Sequence, residues 1–277
     1  MPAETPATEI RSENYRFLRD HVYAQTGIVL EGDKNYLFES RLAPIVRQLG
    51  LGSINDLCAL MLATQEAQLG RQVVEAMTTN ETYFFRDPAQ YEAIRTNLLP
   101  RLKEERQRTR RLRFWSAAAS TGQEAYSLAM LLLEEELSDW DIQILGTDFS
   151  SQVLERARSG TYRQIEVNRG LPTTLLVKRF KRSGVDWQLS EQVLRMARFE
   201  TIDLRESMRT LGPFDLVFCR NVLIYFDAET RRKILKEIHG TLFRGGWLLL
   251  GGAETATGFE EWFERRTAGT AAVYVAL

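Results

Sequence analysis

The sequence predicts an α/β protein, in which a doubly wound parallel sheet domain with a small β insertion follows a small all-helical domain. Three observations support this fold class. Apolar residues recur at helical spacing within the first 80 residues, strand-like and helix-like segments alternate from residue 111, and residues 160–203 interrupt that alternation. The expected boundaries are a helical domain over 1–80, a linker helix over 81–110, and a sheet domain over 111–277 with an insertion over about 160–203.

The helical domain is predicted from apolar spacing and from helix start and stop signals. One apolar face recurs at steps of four, three and four residues, through Phe38, Leu42, Ile45 and Leu49. Gly50 and Gly52 end that helix, and Ser53 with Asp56 three residues later predicts the start of the next. A further helix carries Leu69, Val73 and Met77. No strand-like alternation occurs in this part of the chain.

The linker begins with a helix that Asp87-Pro88 opens and Pro100 interrupts. A cationic run follows, with seven basic residues between Arg101 and Arg113. We expect this run to form a solvent-exposed helix and linker; the alternative is a basic patch that binds nucleic acid.

The sheet domain is predicted from five apolar segments of strand length, Leu112–Trp115, Ile142–Thr147, Phe214–Cys219, Trp247–Leu250 and Ala271–Leu277. Helices are expected over Gln123–Leu137, after the cap residue Ser150, and over Asp227–Phe243, with Gly245-Gly246 closing the last. In the insertion, Trp187–Leu189 and Val193–Met196 are expected to be short strands near a turn at Ser183-Gly184.

Composition excludes several classes of protein. The chain has 277 residues, 36 Lys+Arg against 37 Asp+Glu, 2 His and 2 Cys. These counts argue against a disulfide framework, a zinc site rich in Cys or His, and a surface that binds nucleic acid throughout. The N-terminus lacks a secretory signal pattern, and the apolar stretches are far shorter than the roughly 20 residues that span a bilayer. We therefore expect a cytoplasmic protein without a metal and without direct membrane insertion.

The turn after the first strand, Ala117–Glu124, is the first candidate site. Small residues there allow a ligand to approach the backbone, and Asp148 follows Gly122 by 26 residues, roughly where a carboxylate binds a ribose diol. A single glycine excludes a dinucleotide fingerprint, and the absence of Gly-Lys-Ser/Thr excludes a phosphate loop. S-adenosylmethionine fits a nucleoside site without phosphates. The alternative is an ordinary tight turn beside a surface aspartate.

Two further segments combine polar and aromatic residues. In Thr78–Asp87, the three aromatic residues are expected to lie in the hydrophobic core, whereas the Arg86 guanidinium is suited to bind a carboxylate through two parallel hydrogen bonds. In Cys219–Phe226, Asn221 and Tyr225 follow a buried strand and are four residues apart. Cys219 is expected to be a small buried hydrophobe rather than a nucleophile.

The runs WSAAASTGQEAYS, TNETYFFRD and FDLVFCRNVLIYFD closely resemble the chemotaxis receptor methyltransferase family of the CheR type. The resemblance extends over nearly the whole chain and implies a Rossmann-like S-adenosylmethionine-dependent methyltransferase domain. It also implies transfer of a methyl group to glutamate side chains of chemoreceptor signalling helices, which gives glutamyl methyl esters and S-adenosylhomocysteine and adjusts receptor sensitivity during adaptation.

The same resemblance implies the site residues. The implied cofactor site comprises Asn80, Thr82, Arg86, Glu124, Asp148, Asp203, Leu204, Arg220 and Asn221. The family often has Asn where Asp203 stands, and Asp203 keeps the acceptor but loses a donor. A glutamate with an ordinary pKa of about 4.3 is already ionised and needs no general base. We therefore expect Arg86 and Tyr225 to orient the incoming carboxylate.

The implied partner is the acidic methylation helix of a receptor. Lys34 and Arg41 are seven residues apart on one face of a predicted helix and are expected to bind it, with a solvated helix face as the alternative. The turn at Ser183–Trp187 is shorter than in family members whose insertion holds a receptor tail peptide, so docking is expected not to require that peptide. An RNA or small-molecule methyltransferase and a non-catalytic S-adenosylmethionine sensor remain as competing functions.

Overall fold

A computed structural model describes residues 9–30, 32 and 34–277, which form two compact units. The first unit contains the described residues up to Thr79 together with Tyr225–Asp227, and the second contains Asn80–Ile224 and Ala228–Leu277. The N-terminal stretch that argues against a secretory signal lies outside the described residues, except for its last two.

The first unit packs helices around an apolar core. Its helices in the described residues are α1 (Ser12–Thr26), α2 (Asn35–Gln48), α3 (Ile54–Thr64) and α4 (Ala67–Met77). Leu18, Phe38 and Leu57 are fully buried in that core. The Ser53 hydroxyl accepts a hydrogen bond from the backbone N–H of Asp56 at 3.2 Å, which confirms the predicted start of α3.

The segment Tyr225–Asp227 also belongs to the first unit. The backbone N–H of Val29 donates to the carbonyl of Tyr225 at 2.8 Å, and Ile28 forms an isolated antiparallel bridge with Phe226. The Tyr23 hydroxyl donates to Asp227 at 2.9 Å. This strand-like pairing attaches Tyr225 to a unit that is otherwise helical.

Helices in the second unit begin with α5 (Pro88–Ala93), a π-helical turn (Ile94–Leu98) and α6 (Leu99–Glu105). The π turn interrupts the regular α-helix just before Pro100, as predicted, and places Pro100 in the first turn of α6. The later helices are α7 (Gln123–Leu133), α8 (Ser151–Ser159), α9 (Gln164–Val167), α10 (Thr173–Arg179), α11 (Glu191–Leu194) and α12 (Ala228–Thr241). A 3-10 turn (Leu223–Tyr225) begins in this unit, and its last residue, Tyr225, belongs to the first unit. Among the described residues, no helix combines the length and apolar character needed to cross a membrane.

The strands of the second unit form a seven-stranded sheet and a three-stranded sheet. The strands are β1 (Arg111–Ala117), β2 (Asp141–Asp148), β3 (Thr161–Arg163), β4 (Phe180–Ser183), β5 (Asp186–Leu189), β6 (Ala197–Thr201), β7 (Phe214–Cys219), β8 (Leu242–Leu250), β9 (Phe263–Ala268) and β10 (Ala271–Ala276). The large sheet has the order β6-β2-β1-β7-β8-β10-β9.

The five strands from β6 to β8 run parallel, which confirms the doubly wound arrangement. At one side of the sheet the parallel arrangement gives way to antiparallel pairing, because β10 pairs antiparallel with both β8 and β9. Sequence patterning missed β9 because only its end residues, Phe263 and Ala268, are buried.

The parallel register aligns the ends of the central strands. Ala117 of β1 lies opposite Thr147 of β2 and opposite Cys219 of β7. The turn after β1, Asp148 at the end of β2, and the residues that follow Cys219 therefore emerge at the same edge of the sheet. Ligands of doubly wound sheets bind at this edge.

The region over 160–203 differs from its predicted layout. β3, β5 and β4 form the separate small sheet, with Gly184-Val185 as the turn between β4 and β5. β6, at the end of this region, instead pairs with β2 in the large sheet. The segment predicted as a strand at Val193–Met196 contains α11 and is not a strand.

The prediction that Gly245-Gly246 ends the last helix is wrong, because both glycines lie within β8. A Cβ at Gly246 would lie 2.8 Å from the Phe243 carbonyl oxygen and 3.2 Å from that of Phe214. The pairing of β7 with β8 also shifts register between Phe214 and Leu216. Glycine is needed here for close backbone approach at an irregular part of the sheet.

Candidate active site

The turn between β1 and α7 has an unusual backbone. Ala118 and Ser120 adopt positive φ angles of 59° and 51°, and Gly122 adopts 90°. A Cβ on Gly122 would lie 3.0 Å from the Cβ of Ala157 and 3.2 Å from the Phe199 ring. Gly122 is therefore required both by its conformation and by the packing of this turn.

Asp148 is tied to this turn through Ser120. The backbone N–H of Ser120 donates to Asp148 Oδ2 at 2.9 Å, and the N–H of Ser150 donates to Oδ1 at 3.0 Å. The Ser120 hydroxyl donates to the backbone carbonyl of Asn80 at 2.8 Å. The structure thus brings Asn80, Asp148 and the glycine turn together, as the sequence predicts.

Arg220 links β7 to the start of α7. Its side chain is only 1% exposed, and Nη1 donates to Glu124 Oε2 at 3.1 Å. The Ser116 hydroxyl donates to Glu124 Oε1 at 2.6 Å. Glu124 and Arg220, predicted separately as site residues, therefore form one buried ion pair.

Arg220 also holds the segment before α5. Its Nη2 donates to the Arg86 carbonyl at 2.6 Å and to Asp87 Oδ2 at 2.5 Å. Phe85 and Asp87 in this segment have positive φ angles of 50° and 61°. The backbone N–H of Phe85 donates to the Ser127 hydroxyl at 2.9 Å, so both side-chain and backbone contacts maintain the strained turn.

Strained residues concentrate at this edge of the sheet. Seven non-glycine residues in the described part of the chain have a positive φ. Five of them lie in the segments just described or directly after Arg220, namely Phe85, Asp87, Ala118, Ser120 and Asn221. Such backbone conformations cost free energy and recur where a fold holds functional groups in place.

The Glu124 carboxyl is affected by opposing influences. Burial raises its pKa above the ordinary glutamate value, whereas the Arg220 charge and the Ser116 hydrogen bond lower it. Because the pKa of Glu124 is raised on balance, the ion pair with Arg220 only partly offsets the desolvation of the carboxylate.

Four buried polar atoms in this region have no hydrogen-bond partner among the described residues, namely Gln90 Oε1, the Tyr91 hydroxyl, Arg220 Nε and Asn221 Oδ1. Buried polar atoms are nearly always paired, so an unpaired donor and acceptor on neighbouring residues indicate a ligand. The amino-acid end of S-adenosylmethionine, which has both a carboxylate and an ammonium, fits these two residues chemically. The ribose hydroxyls fit Asp148, whose oxygens can each accept more than one hydrogen bond.

Asp203 and Leu204 follow β6. Asp203 is held by its neighbour Arg205, whose Nε and Nη2 donate to Asp203 Oδ2 at 3.0 and 2.6 Å. Leu204 is buried. The carboxylate of Asp203 therefore has a fixed orientation, which a chain with Asn at this position would have to obtain differently.

The segment over 79–87 separates into core and surface residues. Phe84 is fully buried against Tyr162 and Phe180, which confirms a core role for this aromatic residue. Arg86 and Thr82 are half-buried. The Arg86 guanidinium donates to the Glu81 carbonyl at 3.2 Å and lies 5.5 Å from the centre of the Tyr83 ring, which leaves most of its five N–H donors for other contacts.

Three predicted residues lie in the first unit. Tyr225 ends the 3-10 turn and is half-buried. Lys34 occupies the position before α2 and is half-buried. The Arg41 guanidinium on α2 donates to the Met77 carbonyl and to the Thr79 hydroxyl, so part of its hydrogen-bonding capacity is used within the unit.

Neither cysteine is suited to nucleophilic chemistry. Cys58 and Cys219 are both buried and unpaired, and burial raises the pKa of each thiol, to about 11 for Cys58. Cys219 is therefore a buried hydrophobe, as expected. Across residues 9–30, 32 and 34–277, no group of three or more His, Cys, Asp or Glu side chains is arranged to hold a metal ion.

Sequence reasoning missed two residues of the site. Asp87 was expected only to open α5, but it pairs with Arg220. Glu254, in the turn after β8, accepts hydrogen bonds from the backbone N–H groups that follow Arg220. Asp87 lies inside a recognisable motif, whereas nothing near Glu254 in the sequence indicates its partners, which are about 30 residues away.

Comparison with known proteins places these features in a family. The chain matches the models "CheR methyltransferase, SAM binding domain" over residues 80–272 and "CheR methyltransferase, all-alpha domain" over residues 13–78. It is 39% identical to "Chemotaxis protein methyltransferase 1" of Pseudomonas aeruginosa, with 91% of this chain and 93% of that protein aligned. It is 37% identical to "Chemotaxis protein methyltransferase" of Vibrio parahaemolyticus and to "Chemotaxis protein methyltransferase 1" of Vibrio cholerae, in each case with 93% of this chain and 94% of the relative aligned. The matched ranges, the fold and the predicted motifs agree, and the chain belongs to the CheR methyltransferase family.

Proposed function

We propose that this protein transfers a methyl group from S-adenosylmethionine to glutamate side chains of chemoreceptor signalling helices, with glutamyl methyl esters and S-adenosylhomocysteine as products. The observation that carries the proposal is the cluster of Glu124, Arg220 and Asn221 at the sheet edge, within the range matched by the SAM-binding domain. It combines a buried ion pair with an unpaired donor and an unpaired acceptor.

Within this proposal, the cofactor residues divide by chemistry. Asp148 accepts hydrogen bonds from the ribose hydroxyls, and Glu124, Arg220 and Asn221 bind the amino-acid end. The other proposed cofactor contacts are Asn80, Thr82, Arg86, Asp203 and Leu204. The fixed orientation of Asp203 suits an acceptor for the exocyclic amine of adenine, because a carboxylate accepts but does not donate.

The chemistry requires alignment more than activation. When bound, S-adenosylmethionine supplies an activated methyl group, so that an oxygen–carbon bond to the glutamate forms as the carbon–sulfur bond breaks. The glutamate is ionised at neutral pH and needs no proton removed. Correct alignment of reacting groups contributes about 7–11 kcal/mol. Arg86 and Tyr225 are the proposed catalytic residues because a guanidinium and a phenol can both orient a carboxylate by donating hydrogen bonds.

The proposed partner is the acidic methylation helix of a receptor, and the proposed location is the cytoplasm, where such signalling helices lie. Lys34 and Arg41 are proposed contacts, with Lys34 the stronger because Arg41 also donates to Met77 and Thr79. Docking is proposed not to need a receptor tail peptide. The short two-residue turn between β4 and β5 supports this view, and isothermal titration with a tail peptide tests it, since micromolar binding would contradict it.

Methylation of RNA through the cationic run is less well supported than methylation of a protein. The Arg106 side chain pairs with Asp215 at 2.7 Å and Arg111 pairs with Asp141 at 2.9 Å. Arg110 also pairs with Asp139, and Arg101 lies over the Trp247 ring. Arginines already paired with acids offer little net attraction to phosphates. The third candidate, a sensor without activity, predicts cofactor binding and no transfer.

A label-transfer assay tests these alternatives. Protein, methyl-labelled S-adenosylmethionine and purified receptor from the same organism are incubated, and the receptor is analysed for label that base releases, as esters require. Transfer to RNA or to small molecules alone, or cofactor binding without any transfer, would each contradict the proposal. A receptor with Gln at the methylated positions is the substrate control and should remain unlabelled.

A further inference from the structure

The Glu254 carboxylate is a centre of backbone hydrogen bonds. Its Oε2 accepts from the N–H groups of Asn221 at 2.6 Å and Gly251 at 2.8 Å. Its Oε1 accepts from Val222 at 2.9 Å, Leu223 at 2.7 Å and Ile224 at 3.3 Å. One side chain from the turn after β8 thus binds four consecutive N–H groups of the loop after β7, which we call the 221–224 loop.

This arrangement solves a backbone problem at the sheet edge. After β7 ends at Cys219, the N–H groups of the 221–224 loop have left the sheet and also form the N-terminal end of the 3-10 turn Leu223–Tyr225. Converging N–H groups carry partial positive charge, and a carboxylate both accepts their hydrogen bonds and offsets that charge. A glutamine at this position would turn an NH2 group toward N–H donors, so an amide cannot substitute.

The 221–224 loop is strained and contains a residue of the proposed site. Asn221 has a φ of 58°, in the left-handed region, where residues other than glycine are rare. Its Oδ1 is buried and without a hydrogen-bond partner in the described part of the chain. The hydrogen bond from the Asn221 backbone N–H to Glu254 therefore fixes the backbone from which this side chain projects.

We propose that Glu254 is a positioning residue for methyl transfer. Its carboxylate fixes the 221–224 loop so that Asn221 presents its amide to the cofactor and the 3-10 turn that ends at Tyr225 begins at a set place. The inference rests on the proposed function for the roles of Asn221 and Tyr225. The hydrogen bonds that carry it are independent of what the substrate is.

Gly251 provides a second, opposite way to disturb the same cluster. A Cβ on Gly251 would lie 2.7 Å from both Asn221 Nδ2 and Glu254 Oε2, closer than real contacts allow. Gly251→Ala therefore keeps the Glu254 carboxylate, but its added methyl group displaces the side chains of Asn221 and Glu254. A Cβ on Gly252 would meet no other atom within 4 Å, so Gly252→Ala is the matched control.

The experiment compares the unmodified full chain with Glu254→Gln, Gly251→Ala and two controls, Gly252→Ala and Glu260→Gln. Glu260 is an exposed carboxylate that accepts a backbone hydrogen bond from the N–H of Gly258, so its replacement is the matched control for Glu254→Gln. Isothermal titration with S-adenosylhomocysteine measures cofactor-site affinity. We expect the Kd for S-adenosylhomocysteine to rise about tenfold or more in the first two variants, because a misplaced Asn221 loses its hydrogen bond to the charged amino-acid end of the ligand. The Kd should remain unchanged in the controls. Turnover of receptor should fall about 100-fold, with little change in KM for the receptor.

Amide hydrogen exchange supplies a readout that a general loss of stability does not produce. In Glu254→Gln, faster exchange should be confined to the 221–224 loop and Gly251, while the amides of β1 and β7 stay protected. Uniformly faster exchange, or unfolding of both test variants, would mean that the cluster only stabilises the fold and would overturn the proposal. Unchanged affinity and turnover in both folded variants would also overturn it.

Failure of the proposed function gives a different pattern. If the unmodified protein binds S-adenosylhomocysteine but labels no receptor, the glutamate substrate is wrong, and the affinity and exchange measurements still test Glu254. If both variants bind the cofactor product and turn over receptor as the unmodified protein does, the function stands and the role of Glu254 is refuted.

Discussion

Replacement of Arg220 by methionine should destabilise the second unit by about 3–5 kcal/mol, the usual cost of breaking a buried ion pair. The side chain donates to Glu124, Asp87 and the Arg86 carbonyl, and hydrogen bonds that involve a charged group contribute about 1.5–3 kcal/mol each. The sum is reduced because Asp87 is 41% exposed and regains water, and because methionine fills much of the volume. Glu124 would remain as a buried carboxylate without its cation.

Tryptophan fluorescence during denaturant unfolding measures this loss selectively. All five tryptophans lie in the second unit, at Trp115, Trp140, Trp187, Trp247 and Trp262. Arg95→Met is the control, because Arg95 is exposed and forms an exposed ion pair with Glu92 at 2.8 Å, a contact that contributes about 0–1 kcal/mol. An Arg220→Met variant that unfolds within about 1 kcal/mol of the unmodified protein would refute the assignment of Arg220 as a buried, stabilising cation.

The same variant should have a characteristic pH dependence. Arg220 opposes the burial that raises the pKa of Glu124, so its removal should raise that pKa further. A carboxyl whose pKa is raised on folding binds its proton more tightly in the folded state, and stability falls as pH rises through its titration. The deficit of Arg220→Met should therefore shrink toward acid pH, and adding Glu124→Gln should restore part of the stability. A deficit independent of pH would contradict this explanation.

Three further predictions concern the proposed site and the two cysteines. Arg86→Ala and Tyr225→Phe should each lower receptor turnover at least tenfold, and normal turnover in both would remove their catalytic assignment. Tyr225→Phe should keep near-normal affinity for S-adenosylhomocysteine, whereas Arg86→Ala should also weaken it because Arg86 is a proposed cofactor contact. Asp148→Asn should weaken the binding of S-adenosylhomocysteine about tenfold or more in calorimetry. Both carboxylate oxygens can accept hydrogen bonds from the ribose hydroxyls, whereas an amide replaces one of these acceptors with an NH2 donor. Cys58 and Cys219 should resist a thiol reagent at pH 7 until the protein is denatured, since burial raises both thiol pKa values, and rapid labelling of the native protein would contradict this.

Most of the sheet and much of the site could be predicted because short-range signals determine them. Apolar strands β1, β2 and β7 are recognisable from composition, and the parallel register then requires their ends to meet at one edge. Asp148 and Glu124 each lie next to such an end, so their placement follows from the topology. The pairing of Glu124 with Arg220 did not follow, because 96 residues separate them and neither side chain indicates the other.

The remaining errors have local causes that the sequence does not display. β9 contains mostly exposed residues and lacks the apolar alternation that marks a strand. Gly245-Gly246 resembles a helix stop, but the close approach of the Phe243 and Phe214 carbonyls makes glycine necessary inside β8. In each case tertiary contact overrides a correct local preference.

The cationic run and Glu254 illustrate why charge alone is a poor guide to function. The arginines between Arg101 and Arg113 form the most conspicuous charge cluster in the sequence, yet several of them pair with acids on neighbouring elements. Glu254 stands alone in a glycine-rich turn, yet it accepts five backbone hydrogen bonds that shape the loop leading to Tyr225. A motif records the side chains that meet a ligand, whereas residues that hold the backbone of that motif resemble ordinary turn residues. Substitutions at Gly251 and Glu254 should therefore alter the chemistry of the site while looking, in the sequence, like changes in a surface loop.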